Sequence, residues 1–145
     1  MNGLHILAEF HACAGDRGLL LDAGLLAALC RSVCAKAGLV VVAEAFHQFA
    51  GAGATGALVL AESHLAIHTW PELDAVTLDL YVCNYSQDNR AAAETAYNAL
   101  RMELKPKRIV RRDVARGDCD SGGSDSANIN NPFRGENLES GLHHS

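Results

Sequence analysis

Reactive side chains crowd one short stretch of this chain, AESHLAIHTWPE at residues 61–72, and a cysteine follows at position 83. The pair Glu62-Ser63 sets a hydroxyl next to its own upstream carbonyl. A hydroxyl held that way has the effective concentration of an intramolecular nucleophile and can convert its amide to an ester. Downstream, His64 and His68 carry imidazoles, Trp70 an aromatic face, Glu72 a carboxylate and Cys83 a thiol. On residue type alone each has a plainer reading: a hydrogen-bonded strand histidine, a packed indole, a small filler at a strand end.

The elements that carry these groups read as strands. Ser63 to Trp70 and Ala75 to Cys83 alternate cleanly, with Pro71 between them. Period-two geometry puts His64, Ala66, His68 and Trp70 on one side of the first strand, opposite Leu65, Ile67 and Thr69. In the second strand Thr77, Asp79, Tyr81 and Cys83 share the polar side, so the two polar sets can line one surface. His64 and His68 have a spacing that suits zinc on a helix, but four strand residues span about 13 Å, too far for one ion. No metal site is expected.

The rest of the chain supplies the scaffold. Gly3 to Phe10 reads as a first strand, and Asp22 caps a helix with Leu25, Leu26, Leu29, Val33 and Ala37 on one face, stopped by Gly38. Cys30 and Cys34 border that stripe and read as core filler. Leu39 to Phe49 has strand composition, and GAGATG at residues 51–56 reads as a glycine-rich turn leading into the strand ALVLA. It lacks the Lys-Ser/Thr of a phosphate loop. Asp88 starts a second helix striped by Ala93, Ala96, Tyr97, Leu100 and Leu104, Pro106 ends it, and Lys107 to Val114 returns as an edge strand. The order β-α-β-β-β-β-α-β predicts an α+β fold, a two-layer α/β sandwich with a mostly antiparallel sheet and both helices on one face. The opposite face, with Trp70 and Tyr81, then lacks a cover.

Composition narrows the function classes. The 145 residues are 49% hydrophobic and 20% charged, which fits a single folded domain. The net charge of −5 sits mostly after Arg116, where Asp118, Asp120, Asp125, Glu136 and Glu139 face Arg134 alone. We therefore expect a domain at 1–116 and a disordered acidic tail at 117–145. The nearly neutral body gives no footprint for nucleic acid or membrane, and the basic residues Lys105, Lys107, Arg108, Arg111, Arg112 and Arg116 read as a solvated edge. MNGLHILAEF has no leader character, no apolar run reaches membrane length, and the five cysteines are odd in number with no C-x-x-C pair. A cytoplasmic protein with reduced thiols is expected.

The string ESHLAIHTWPE closely resembles the self-processing motif of the bacterial and archaeal S-adenosylmethionine decarboxylases, ESHLTIHTWPE, with ten of the eleven residues from Glu62 to Glu72 matching. The likeness runs from GLHIL near the start through FHQF at Phe46 to Phe49 and on to Cys83. It implies that the chain cuts itself between Glu62 and Ser63 into a β chain of residues 1–62 and an α chain of residues 63–145. Ser63 would pass through an ester and dehydroalanine to become a pyruvoyl group, the only cofactor required. That group would form the Schiff base with substrate and take up the electrons left by departing carbon dioxide. By the same resemblance His68 is the proton acceptor in processing and Cys83 the proton donor in catalysis. Thr55 stands where the family has a serine that stabilises the processing intermediate. Phe49 stacks on the adenine and Glu72 holds the ribose, while Trp70 either joins that binding surface or packs beside it.

The resemblance further implies a homodimer of αβ protomers, packed sheet against sheet with each site drawn from both. The expected activity is decarboxylation of S-adenosylmethionine for spermidine biosynthesis. The continuation CNYSQDNR departs from the CG usual in the family. This keeps open the same machinery acting on L-ornithine or L-arginine, with Asp88 or Glu72 holding the distal cation, or a non-catalytic regulatory homologue.

Overall fold

The computed structural model describes residues 2–117; the sequence-predicted acidic tail lies, beyond Gly117, outside the described residues. Six strands form one sheet: β1 (Gly3–Cys13), β2 (Val41–Gln48), β3 (Ala54–Leu60), β4 (Ser63–Trp70), β5 (Ala75–Cys83) and β6 (Pro106–Arg116). Three helices accompany them: α1 (Gly18–Leu21), α2 (Ala23–Ala37) and α3 (Arg90–Leu104). The sheet order is β2-β3-β4-β5-β1-β6, and every neighbouring pair is antiparallel.

Strand alternation decides which face is buried. Ile6, Ala8 and Phe10 of β1, Leu58 and Leu60 of β3, Leu65 and Ile67 of β4, and Val76, Leu78, Leu80 and Val82 of β5 form one apolar layer. Against it pack Leu26, Cys30, Val33 and Cys34 of α2 and Ala93, Ala96, Tyr97, Leu100 and Leu104 of α3. Each side chain of leucine size contributes about 1.5–3 kcal/mol by leaving water, so this layer holds the sandwich together. Cys30 and Cys34 are fully buried within it. Burial pushes the Cys30 thiol up to about 12 and the Cys34 thiol up to about 11. Both behave as small hydrophobes.

Local signals set the ends of the helices. Asp22 caps α2, its Oδ1 accepting from the N–H groups of Gly24 at 2.8 Å and Leu25 at 3.1 Å, and Gly38 closes the helix in the left-handed region at φ 75°. Asp22→Ala is expected to cost about 1 kcal/mol, read as a lower urea midpoint with an unchanged slope. Helix α3 begins two residues after Asp88, whose carboxylate accepts from the Arg90 N–H at 3.0 Å. Pro106 opens β6.

The structure amends the sequence reading in two places. Helix α1 is a single turn, too short to show periodicity. The string GAGATG is not all turn, because Ala54 already starts β3 and Thr55 and Gly56 lie within it. Gly56 is required by packing there: a Cβ on it would meet the Phe46 ring at 2.1 Å. On the edge strand, Arg111 lies over the Tyr97 ring at 4.4 Å and binds Glu94 and Asp113, so this member of the basic run is tied to α3.

Candidate active site

The Glu62-Ser63 bond sits in the tight connection from β3 to β4, where Leu60 pairs with Ser63 across a two-residue turn. Ser63 also pairs with Val82 of β5, and its Oγ accepts from the Cys83 N–H at 3.3 Å. Cys83 is buried at the end of β5. Glu62 Oε2 is buried without a hydrogen-bond partner. Glu62 and Ser63 border a cavity of about 120 Å³ shared with Leu39, Gln87 and Asn89.

Asn89 is buried as well, and it clamps the departure from the family pattern. Its Nδ2 donates to the Cys83 carbonyl at 2.8 Å, its N–H donates to Asn84 Oδ1 at 2.8 Å, and its Oδ1 accepts from Gln87 at 3.0 Å. Cys83 is therefore fixed through both its carbonyl and its amide. Asparagine before a helix is a capping signal in the sequence, but the contact with Cys83 depends on the folded turn.

A second group gathers at the other end of β4. Thr55 pairs directly with His68, and its hydroxyl shares a hydrogen bond with His68 Nδ1. Trp70 donates from Nε1 to Thr77 Oγ1 at 3.4 Å, and Phe49 stands half-exposed, edge-on to His47. Phe49, Thr55, His68, Trp70 and Glu72 line a cavity of about 660 Å³, large enough for a nucleoside. Gln48 steadies the Phe49 loop: its Nε2 donates to the carbonyls of Leu21 at 2.9 Å and Gly53 at 3.1 Å, and its Oε1 accepts from the Ala23 N–H at 2.7 Å. The buried Thr69 hydroxyl donates to Leu20 at 2.7 Å and accepts from the Ala54 N–H at 2.8 Å. Neither support shows in the sequence, because both join segments distant along the chain.

Within one chain the two groups stay apart. Ser63 and His68 stand five residues apart on β4, about 16 Å along an extended strand. Leu65 and Ile67 are buried against the helices, Ser63 is half-buried at the start of β4, and His68 is exposed on the open face with Trp70. Glu62, Ser63 and Cys83 form one set; Phe49, Thr55, His68, Trp70 and Glu72 form the other. His64 belongs to neither, since its Nε2 lies 3.1 Å from Asp79 Oδ1, beside His5.

Fold and site together define a two-layer α+β protein whose open sheet face carries an aromatic and carboxylate pocket, with a serine on a tight hairpin at its far end. The family model described as S-adenosylmethionine decarboxylase matches residues 4–117. The chain belongs to the S-adenosylmethionine decarboxylase family. It is 35% identical over 116 residues to an S-adenosylmethionine decarboxylase proenzyme of Thermoplasma volcanium, covering 80% of this chain and 85% of the relative. A proenzyme of the same name from Thermotoga maritima is 35% identical over 118 residues, covering 81% and 86%. The crystal structure of the adenosylmethionine decarboxylase from Aquifex aeolicus VF5 superposes with a TM-score of 0.74 at 31% identity, covering 84% of this chain and 96% of that one.

Proposed function

We propose that this chain is a self-processing, pyruvoyl-dependent carboxy-lyase that decarboxylates S-adenosylmethionine, supplying an aminopropyl donor for spermidine synthesis. The observation that carries the reading is the position of Ser63, first residue of β4 on a tight hairpin after Glu62, in a chain of this family. In processing, Ser63 Oγ adds to the Glu62 carbonyl carbon and the amide nitrogen leaves, giving an ester. A Thr55 hydroxyl donates to the developing oxyanion. His68 then takes the serine α-proton, and the Cα–H electron pair expels the Glu62 carboxylate as the new end of residues 1–62. The setting of Ser63 suits the first processing step: its hydroxyl accepts from the Cys83 N–H at 3.3 Å, and Glu62 Oε2 is buried without a hydrogen-bond partner. Water adds to the dehydroalanine left at residue 63 and ammonia departs; the pyruvoyl group so formed would supply an electron-accepting carbonyl for the substrate amine.

The remaining residues bind substrate and move protons. Phe49 and Trp70 offer aromatic surface to adenine, and Glu72 accepts from the ribose hydroxyls. Cys83 delivers a proton to the carbon that has lost carbon dioxide. Because one chain keeps Ser63 and His68 about 16 Å apart, the proposed unit is a homodimer with open faces apposed, the Ser63 end of each protomer against the His68 end of the other. Among the described residues no helix is long and apolar enough to cross a membrane, and we place the enzyme in the cytoplasm.

No observation favours ornithine or arginine. Asp88, an acid suited to a distal cation, is already paired with Arg90 at 2.9 Å. Carbon dioxide release from processed enzyme tests the substrate. Release from S-adenosylmethionine is expected to exceed that from ornithine or arginine by about a hundredfold or more, as a pocket shaped for one set of polar groups discriminates strongly. Equal or greater release from either amino acid overturns the assignment.

A further inference from the structure

Three chemically reactive side chains outside the proposed machinery converge on the open face from three adjacent strands: His5 of β1, His64 of β4 and Asp79 of β5. Both histidines stand directly across from Tyr81, and Asp79 lies one pleat further along β5. Nε2 of each imidazole is 3.1 Å from the same carboxylate oxygen, Asp79 Oδ1. All three donor atoms lie within 4.8 Å of one another. The Tyr81 ring flanks both imidazoles, at 5.7 and 5.6 Å between centroids, which limits how they can turn. In the single chain the side chains of His5, Asp79 and His64 are 18%, 32% and 40% exposed, so the sheet frames the cluster and leaves room for an ion among the three.

We infer that His5, His64 and Asp79 form a binding site for a divalent first-row transition-metal ion of the zinc class. Imidazole nitrogen and carboxylate oxygen bind zinc at about 2.0–2.2 Å, so neighbouring donors in a tetrahedral shell stand about 3.3–3.5 Å apart. Both nitrogen-to-oxygen separations are already close to that, and small side-chain rotations bring the two nitrogens into the same shell. Two imidazoles and one carboxylate select transition metals over magnesium or calcium, which prefer all-oxygen shells. Placement on three hydrogen-bonded strands preorganises the set, and a bound ion would tie β1, β4 and β5 together one residue past Ser63.

One neighbour opposes the ion. Arg116 lies over Tyr81 at 4.5 Å and its Nη1 is 3.3 Å from His5 Nδ1. Its positive charge repels a cation, and donation to Nδ1 favours the tautomer that keeps a proton on Nε2, the atom the ion needs. Arg116 ends the edge strand and is exposed, so it can move aside. This gives a signed expectation that a purely structural hydrogen-bonded trio does not share: removing Arg116 tightens metal binding.

The inference needs neither the proposed activity nor the proposed assembly. The test takes full-length protein stripped by chelator and titrates it with Co²⁺, read by visible ligand-field absorption, and with Zn²⁺, read by equilibrium dialysis and metal analysis. Expected is one ion per chain at micromolar concentration, a higher Tm with Zn²⁺ by mass action, and at least tenfold weaker binding in His64→Ala and in the isosteric Asp79→Asn. Circular dichroism confirms that each variant is folded. Arg116→Ala is expected to bind several-fold more tightly. An ion held instead by His143 and His144 would persist in both site variants, and that result overturns the assignment. So does a wild-type chain that takes up no ion, or an Arg116→Ala variant that binds no better.

Discussion

Ser63→Ala is expected to leave one uncut chain of 15.4 kDa, whereas the wild-type protein is expected to yield two pieces, residues 1–62 and a blocked piece from residue 63 onward. The change is expected to be all or none, because alanine removes the hydroxyl that adds to the Glu62 carbonyl in the proposed processing step. A loss of folding does not account for such a result. The hydroxyl accepts a single hydrogen bond, from the Cys83 N–H at 3.3 Å. Losing it costs about 1 kcal/mol against a typical stability of about 5–15 kcal/mol. The variant should therefore keep the wild-type circular dichroism and still bind Zn²⁺ at His5, His64 and Asp79. Intact-mass analysis with amino-terminal sequencing reads the outcome. Wild-type material of full length only, or a second fragment with a free amino terminus, overturns the pyruvoyl reading while leaving the metal inference standing.

The scaffold is legible in the sequence where physics is local. Leu65 and Ile67 alternate with His64, Ala66 and His68, and Asp22, Gly38 and Pro106 punctuate the helices, so six strands, two long helices and the bare face follow from pattern alone. The family is legible because the string from Glu62 to Glu72 matches a specific motif, and the family model covers residues 4–117. What depends on strand order is not. The grouping of His5 with His64 and Asp79 requires β5 to lie between β4 and β1, and no periodicity reports that order. Thr55 reads as a turn residue because glycine is the usual mark of a turn. Gly56 is there instead to let Phe46 lie across β3, which leaves Thr55 in register with His68.

The same register gives the sharpest test of the proposed two-chain site. His68→Ala should be uncut when made alone, since a general base is worth about a hundred- to ten-thousandfold and the variant keeps its nucleophile without one. Ser63→Ala alone also stays uncut, for want of the hydroxyl. In a mixed dimer of the two, the His68→Ala chain presents its intact Ser63 to the His68 of the partner subunit. Cleavage should then return, confined to the His68→Ala chain. With random pairing of equal amounts, about half of that chain sits in mixed dimers and is rescued. His68 is exposed on the open face, so its truncation leaves the apolar layer intact and both chains should fold. Distinguishable masses on the two chains let one spectrum report which was cut. Rescue near half supports a base supplied across the dimer. Its absence in mixed dimers isolated by tandem tags means the base acts within its own chain, against the separation of about 16 Å along β4.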